Sequence, residues 1–366
     1  MSKKIDSLQT VRAAAFIGVF ISHTYFAFFK KVGCFSISLF LILSGFLMMH
    51  GYYRRQRIKD VTLAGSFRFA MDRIKKLYAL HIFTALLIFI PNFVFYSYMR
   101  KELVFELFFN ALVLHAWVPT CRNLLNYTSW FLSCLAFCYF VFPFVMKRRE
   151  SGNGSLPVVR IVLLYIIQTV AAGIFAKLSP LLTNAFGLEE ASALTTWFAY
   201  NFPLSRVFDF LIGTELYLLY LNADDSIDKN NTLIECLTLV VAILSVLTAN
   251  RYADRWWSDV AVFTPVSCLI IFLFARSRGR LSRFRSACID FVADISREGF
   301  LVHSVVFIYA ESIIFRVINI VGLAVDPYLF TDLVRLIIGF PITVFLCLSW
   351  RKLHGALVAV NKKNHS

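Results

Sequence analysis

Long runs of apolar residues, each about as long as a bilayer crossing requires and each set off by a short polar or basic stretch, dominate the chain. A helix of about 20 apolar residues crosses the ~30 Å hydrocarbon layer. The pattern therefore predicts spans near Gln9–Phe29, Cys34–Tyr53, Lys76–Tyr98, Thr128–Met146, Val158–Ala176, Phe202–Leu221, Thr232–Ala249, Trp257–Ala275, Phe291–Phe315 and Leu329–Trp350, ten in all. A further apolar piece, Val104–Val118, is short for a span and is compatible with either an eleventh crossing or a helix lying at the surface.

Charge decides between those two, because Lys and Arg gather on the cytoplasmic side. If Val104–Val118 stays out of the bilayer, the basic groups Lys3/Lys4, Arg54 to Lys76, Lys147–Arg149, Arg276 to Arg285 and Arg351 to Lys363 share one side. About 24 of the 37 positive residues are then cytoplasmic and about nine lie outside. A crossing there would destroy the asymmetry. The expectation is an all-α, polytopic integral membrane helix bundle of ten spans, with both termini cytoplasmic and Met99–Tyr127 extracytoplasmic and partly helical. Residues 1–366 form one transmembrane domain with no appended soluble domain, and the run from Thr10 to Phe29 suits a retained span better than a cleaved signal.

Composition agrees. The chain is 59% hydrophobic and only 16% charged, with 39 Phe and a mean hydropathy of +0.70, whereas soluble domains are about 25% charged. The net charge of +15 would suit nucleic acid, but the positives cluster between apolar runs as they do in cytoplasmic loops, which argues against a nucleic-acid partner. The eight cysteines are scattered without the paired spacing of zinc or redox motifs, and no His is grouped with acidic residues at ligand spacing, so no metal is expected.

Ionisable residues inside spans are costly and mark functional sites by default. Arg12 and His23, eleven positions apart, fall on one helix face about 16 Å apart along the axis. Left to themselves they also read as a snorkelling Arg and a packed His. Arg73 and Lys76, one turn apart with Lys75 beside them at the mouth of the third span, suit a phosphate-bearing ligand from the cytosol or serve simply as an orientation signal. Arg206 with Asp209 and Arg335 with Asp332 can pair within spans, and Ser296-Arg297-Glu298 precedes His303. Several polar spans together point to a wet cavity, with His23 and His303 as the only histidines deep in them. A neutral imidazole can take a proton from a hydroxyl, as acyl transfer to an alcohol demands.

These residues resemble acyltransferase family 3, over nearly the whole chain and in order. Arg12 and His23 match the Arg–ten residues–His motif of the family's first helix, and Gly33 through Phe46 resembles its second. Arg73-x-x-Lys76-Leu77-Tyr78 is similar to the family's Arg-x-x-Arg motif, with Lys in the second place. Ser129-Trp130-Phe131-Leu132-Ser133 resembles its Ser-Trp-x-Leu-Ser segment; Leu135 and Ala136 stand where many members have a Glu, which resembles the branch acting on capsular and exopolysaccharides. Pro203-Leu204-Ser205-Arg206 with Phe210 and Gly213, and Ser296 through His303 with Phe300 for the usual Tyr, resemble two later helices. The resemblance implies an O-acyltransferase of the bacterial inner membrane that moves an acyl group, usually acetyl, from cytosolic acyl-CoA to a hydroxyl of an extracytoplasmic glycan or lipid. On that reading Arg73, Lys75 and Lys76 receive the acyl-CoA, His23 with Arg12 does the chemistry, and Trp130, Ser133, Arg206 and His303 shape the acceptor side. A secondary transporter or lipid-linked sugar flippase using His23, Arg206 and Asp209 is the competing expectation, and a catalytically inactive scaffold is a third.

Overall fold

The computed structural model describes residues 5–26, 29–53, 61–121, 125–150, 156–223, 231–252, 256–322 and 325–363. Among them there are helices and turns but no strand. In chain order the helices are α1 (Leu8–Ser22), α2 (Lys30–Tyr52), α3 (Leu63–Phe95), α4 (Arg100–Ala111), α5 (Trp130–Glu150), α6 (Pro157–Leu182), α7 (Ala191–Thr196), α8 (Pro203–Asn222), α9 (Thr232–Tyr252), α10 (Phe263–Arg276), α11 (Arg280–Arg283), α12 (Ala287–Val321), α13 (Pro327–Val334) and α14 (Phe340–Lys363). Eight helical stretches are long and apolar enough to cross a membrane. The other two expected spans exist as helices that fall short for clear reasons: α1 has only 15 residues, and α8 carries Arg206, Asp209 and Glu215. α6 and α9 turn Val162, Ile166, Val170, Val240 and Ile243 outward, an apolar surface suited to lipid and not to water.

Several boundaries differ from the expected ones. The first helix stops at Ser22 instead of running to Phe29, because Asp332 captures the backbone N–H groups of Tyr25 (2.8 Å) and Phe26 (3.2 Å) and so bends the chain away at His23. α3 starts at Leu63, where the Thr62 side chain accepts from the Gly65 N–H at 3.0 Å. Its 33 residues span about 50 Å, so Arg73 and Lys76 sit on the helix itself and not in a loop. The last span is broken by a π-helical turn at Arg335–Gly339. Val104–Val118 contributes to α4, whose 12 residues reach about 18 Å, too short to cross.

Close packing of small residues holds the centre. α2 and α8 approach so nearly that a Cβ on Gly45 would stand 1.9 Å from the Phe210 carbonyl oxygen, and one on Gly213 would stand 2.0 Å from that of Ile42. Beside this seam Arg206, fully buried, pairs with Asp209 at 2.8 Å and donates to Ser38 Oγ (3.0 Å) and the Asp259 carbonyl (3.1 Å). Thr264 donates to Asp209 at 2.9 Å. α1 packs against α2 and α12, and α3 against α5 and α12; these helices build the features described next.

Candidate functional site

Two features face each other along α1 and α12. The first is a cavity of about 330 Å³ lined from α1, α2, α3, α5 and α12. Arg12, Arg73, Lys76 and Arg297 line it, together with Ser44, Tyr139 and Ser296. None of these four cations makes an ion pair among the described residues. Arg73 lies instead over the rings of Tyr52 (4.9 Å) and Phe69 (5.2 Å), which hold it in place without neutralising it. Asp72 is the one acidic residue in the lining and is engaged by Lys75 at 2.7 Å, so Lys75 points to that carboxylate and not into the cavity. A basic, partly apolar recess of this kind fits a ligand with phosphate at its mouth and an uncharged arm inward.

The second feature is a pair of imidazoles. His303, fully buried in the middle of α12, has its Nε2 3.4 Å from His23 Nδ1, with ring centroids 5.0 Å apart. The backbone sets the tautomers. His303 Nδ1 lies 2.9 Å from the Gly299 carbonyl, and His23 Nδ1 lies 2.8 Å from that of Val19. A carbonyl only accepts, so both Nδ1 atoms carry hydrogen. The single His23 Nδ1 hydrogen is then shared between the Val19 carbonyl and, at longer range, the His303 Nε2 lone pair, and His23 keeps its own Nε2 lone pair for another donor. His23 is half-buried, with the Tyr127 ring 5.1 Å away.

Between the two features stand three phenylalanines. Phe131 and Phe300 are 4.7 Å apart, Phe40 is 6.0 Å from Phe131 and 6.2 Å from Phe300, and all three close the inner end of the basic cavity. Phe300 is in turn 6.1 Å from His303. One aromatic layer thus separates cavity from imidazoles.

Arg335 anchors the turn after His23. It donates to the His23 carbonyl at 3.5 Å, pairs with Asp332 at 3.7 Å and binds Glu311, which also accepts from Tyr25 Oη at 2.5 Å. Its ion pair with Asp332 had been legible in the sequence; its grip on His23 had not.

Of the expected site residues, Arg12, Arg73 and Lys76 come together in the cavity, and His23 meets His303. Trp130 and Ser133 are buried on α5: Ser133 donates to the Val113 carbonyl at 2.6 Å, and Trp130 lines a different recess with His115. Arg206 stands apart from both features, engaged by Asp209, Ser38 and backbone carbonyls. His23 and His303 are not alone in being deep. His81 and His115 are also buried, stacked 5.6 Å apart, with His115 Nε2 3.1 Å from Ser129 Oγ. Burial and the neighbouring His81 hold the His115 imidazole far below its ordinary value, at about 3. Asn126 ties the same region to the bundle: it donates to Thr84 (2.9 Å) and to the Leu301 carbonyl (2.9 Å), and accepts from Ser304 (2.6 Å). Sequence reasoning missed this group because its members lie far apart along the chain.

No curated protein and no solved structure matches the chain. A family model described as an acyltransferase domain matches residues 5–350. That stretch takes in the basic cavity, the aromatic layer and the imidazole pair together, and the chain belongs to the family 3 acyltransferases, as a multi-pass helical membrane protein.

Proposed function

We propose that the protein is an O-acyltransferase, most simply an O-acetyltransferase, of a bacterial inner membrane that takes its acyl group from cytosolic acyl-CoA and delivers it to a hydroxyl of an extracytoplasmic polysaccharide, lipid-linked sugar or lipid. The observation that carries the reading is the alignment of a cavity bearing Arg12, Arg73, Lys76 and Arg297 with the His303–His23 pair behind one layer of phenylalanine. Arg73 and Lys76 receive the donor's phosphates at the mouth, and the narrow apolar interior suits its uncharged thioester arm. Lys75 adds charge nearby although it is engaged by Asp72.

His23 Nε2 is the base. It accepts the acceptor's hydroxyl proton as the oxygen attacks the thioester carbonyl; the C–O bond forms, the C–S bond breaks, and the proton passes to the leaving thiolate. The Val19 carbonyl, with His303 as a second and longer acceptor, holds His23 in the tautomer that keeps Nε2 free. Arg12, in the cavity lining, offsets negative charge along the donor's path. Arg206 and Ser133 act on this reading by holding the helices and loops of the acceptor side.

Ester-linked acetate on surface polysaccharide tests the proposal, compared among cells carrying the wild-type protein, the His23→Ala protein at equal membrane level, or neither. Acetate restricted to the wild type is expected. Equal acetate in all three would sink both the acceptor class and the role of His23.

A further inference from the structure

A recess of about 350 Å³ lies between the segment from His115 to Cys121, the start of α5, α7 and the turn that follows it. Its walls include the indoles of Trp130 and Trp197, the carboxylates of Glu189 and Glu190, the Asn201 carboxamide and His115. We infer that this recess is a binding site for a sugar unit without negative charge, which anchors the acceptor chain. The inference rests on the proposed acceptor side and adds the location and charge preference of a subsite.

Both indoles are held by their own contacts. Trp197 Nε1 donates to the Ala116 carbonyl at 3.0 Å while its ring lies 4.6 Å from Phe202, and Trp130 packs 4.7 Å from Tyr200. Rigid aromatic surfaces flanked by polar groups match a pyranose, whose C–H face is apolar and whose rim is all hydroxyl. Glu189 and Glu190 accept from hydroxyls, and Asn201 both donates and accepts. A single compact cation would use the carboxylates, the indoles and the carboxamide oxygen but leave the carboxamide N–H donors unserved.

Charge narrows the choice. No Lys or Arg is among the described lining residues, so among these a carboxylate on the ligand would meet Glu189 and Glu190 uncompensated.

Two departures from regular backbone converge on the recess, and such departures concentrate at functional sites. Trp197–Asn201 is a π-helical turn that brings both of its end residues to the wall. Val113 has φ of 57°, a left-handed conformation that a β-branched residue adopts at a cost. The Ser133 hydroxyl holds its carbonyl, and the strained residue feeds directly into the turn that carries His115.

The test is a tryptophan-fluorescence titration of the full-length protein in nanodiscs with lactose, with a disaccharide of equal size ending in glucuronic acid, and with choline. Lactose should saturate, the uronic probe should bind more weakly, and choline should not compete. Replacing the exposed Glu189 and Glu190 together (Glu189→Gln with Glu190→Gln) should weaken lactose by about tenfold and narrow the gap to the uronic probe. His23→Ala should leave lactose binding intact, because no acyl donor takes part. Absence of saturable lactose binding, equal binding of the uronic probe, competition by choline, or indifference to the double substitution would each overturn the site. Lactose binding by a protein that acylates no glycan would instead keep the site and remove the transfer reading.

Discussion

His303 Nε2 lies 3.4 Å from His23 Nδ1, although 280 positions separate the two residues in the chain. Each imidazole gives its Nδ1 hydrogen to the carbonyl one helical turn before it, and the direction of the pair follows from those two bonds. His303 accepts, His23 presents Nε2 outward, and only His23 has any exposure. The two histidines are therefore not interchangeable.

Substituting them separates base from support. His23→Ala removes the proposed base and is expected to lower acyl transfer by about 10²–10⁴-fold. His303→Gln retains an acceptor for the His23 hydrogen and should lose less than His303→Ala. Transfer rates in membranes, normalised to protein level, check the order; equal losses for Gln and Ala would show that the hydrogen bond is immaterial.

The phenylalanine layer predicts a change in specificity. Phe300→Ala opens the cavity towards His303 and should raise the rate with a butyryl thioester relative to acetyl by about tenfold or more, the scale on which a pocket distinguishes methylene groups. Competition between the two donors measures it. An unchanged ratio would mean that acyl length is sensed elsewhere.

Arg335 should matter for stability as well as activity. Its removal leaves Asp332, which is 1% exposed, buried without its cation, a defect of about 3–5 kcal/mol. Arg335→Ala is thus expected to lower the thermal midpoint in detergent markedly, and Arg335→Lys to recover part of the loss. A midpoint unchanged in Arg335→Ala would place the anchoring of the His23 turn in other contacts.

The seam between α2 and α8 gives a steric prediction. Gly45→Ala and Gly213→Ala each push a methyl group to about the position of a backbone oxygen, 1.9 Å and 2.0 Å away, and should sharply reduce folded protein in the membrane. Gly51→Ala, where nothing lies within 4 Å, is the control and should accumulate normally.

Acid should weaken the fold through His115. Burial favours its neutral form, and its folded value near 3 lies below the ordinary 6.5. Protonation therefore favours the unfolded chain: the stabilisation is complete above about pH 6.5 and is lost progressively as pH falls towards 3. Thermal midpoints at pH 7.5 and 5.5 should diverge less in His115→Asn than in the wild type.

Much of this was legible in the sequence, for physical reasons. Apolar runs announce spans because lipid tolerates nothing else, and Arg12 and His23 stood out because ionisable residues in such runs are expensive. What stayed hidden depends on distant contacts. The end of α1 at Ser22 is set by Asp332, far along the chain. The His81–His115 stack brings together one residue of a span and one of a short irregular segment that no periodicity describes. The clustering of Phe40, Phe131 and Phe300 could not be singled out among 39 phenylalanines.

The glycine seam has a bearing on motion. Transporters commonly rock one bundle against another to expose a site to each side in turn, and helices whose backbones touch at Gly45 and Gly213 have no side-chain cushion along which to slide. With α2 and α8 in backbone contact, the parts left between the basic cavity and the imidazoles are side chains, Phe131 and Phe300 among them. On the proposed transfer reading the scaffold stays still while a small group passes, and the barrier to be crossed between cavity and imidazoles is one aromatic ring thick.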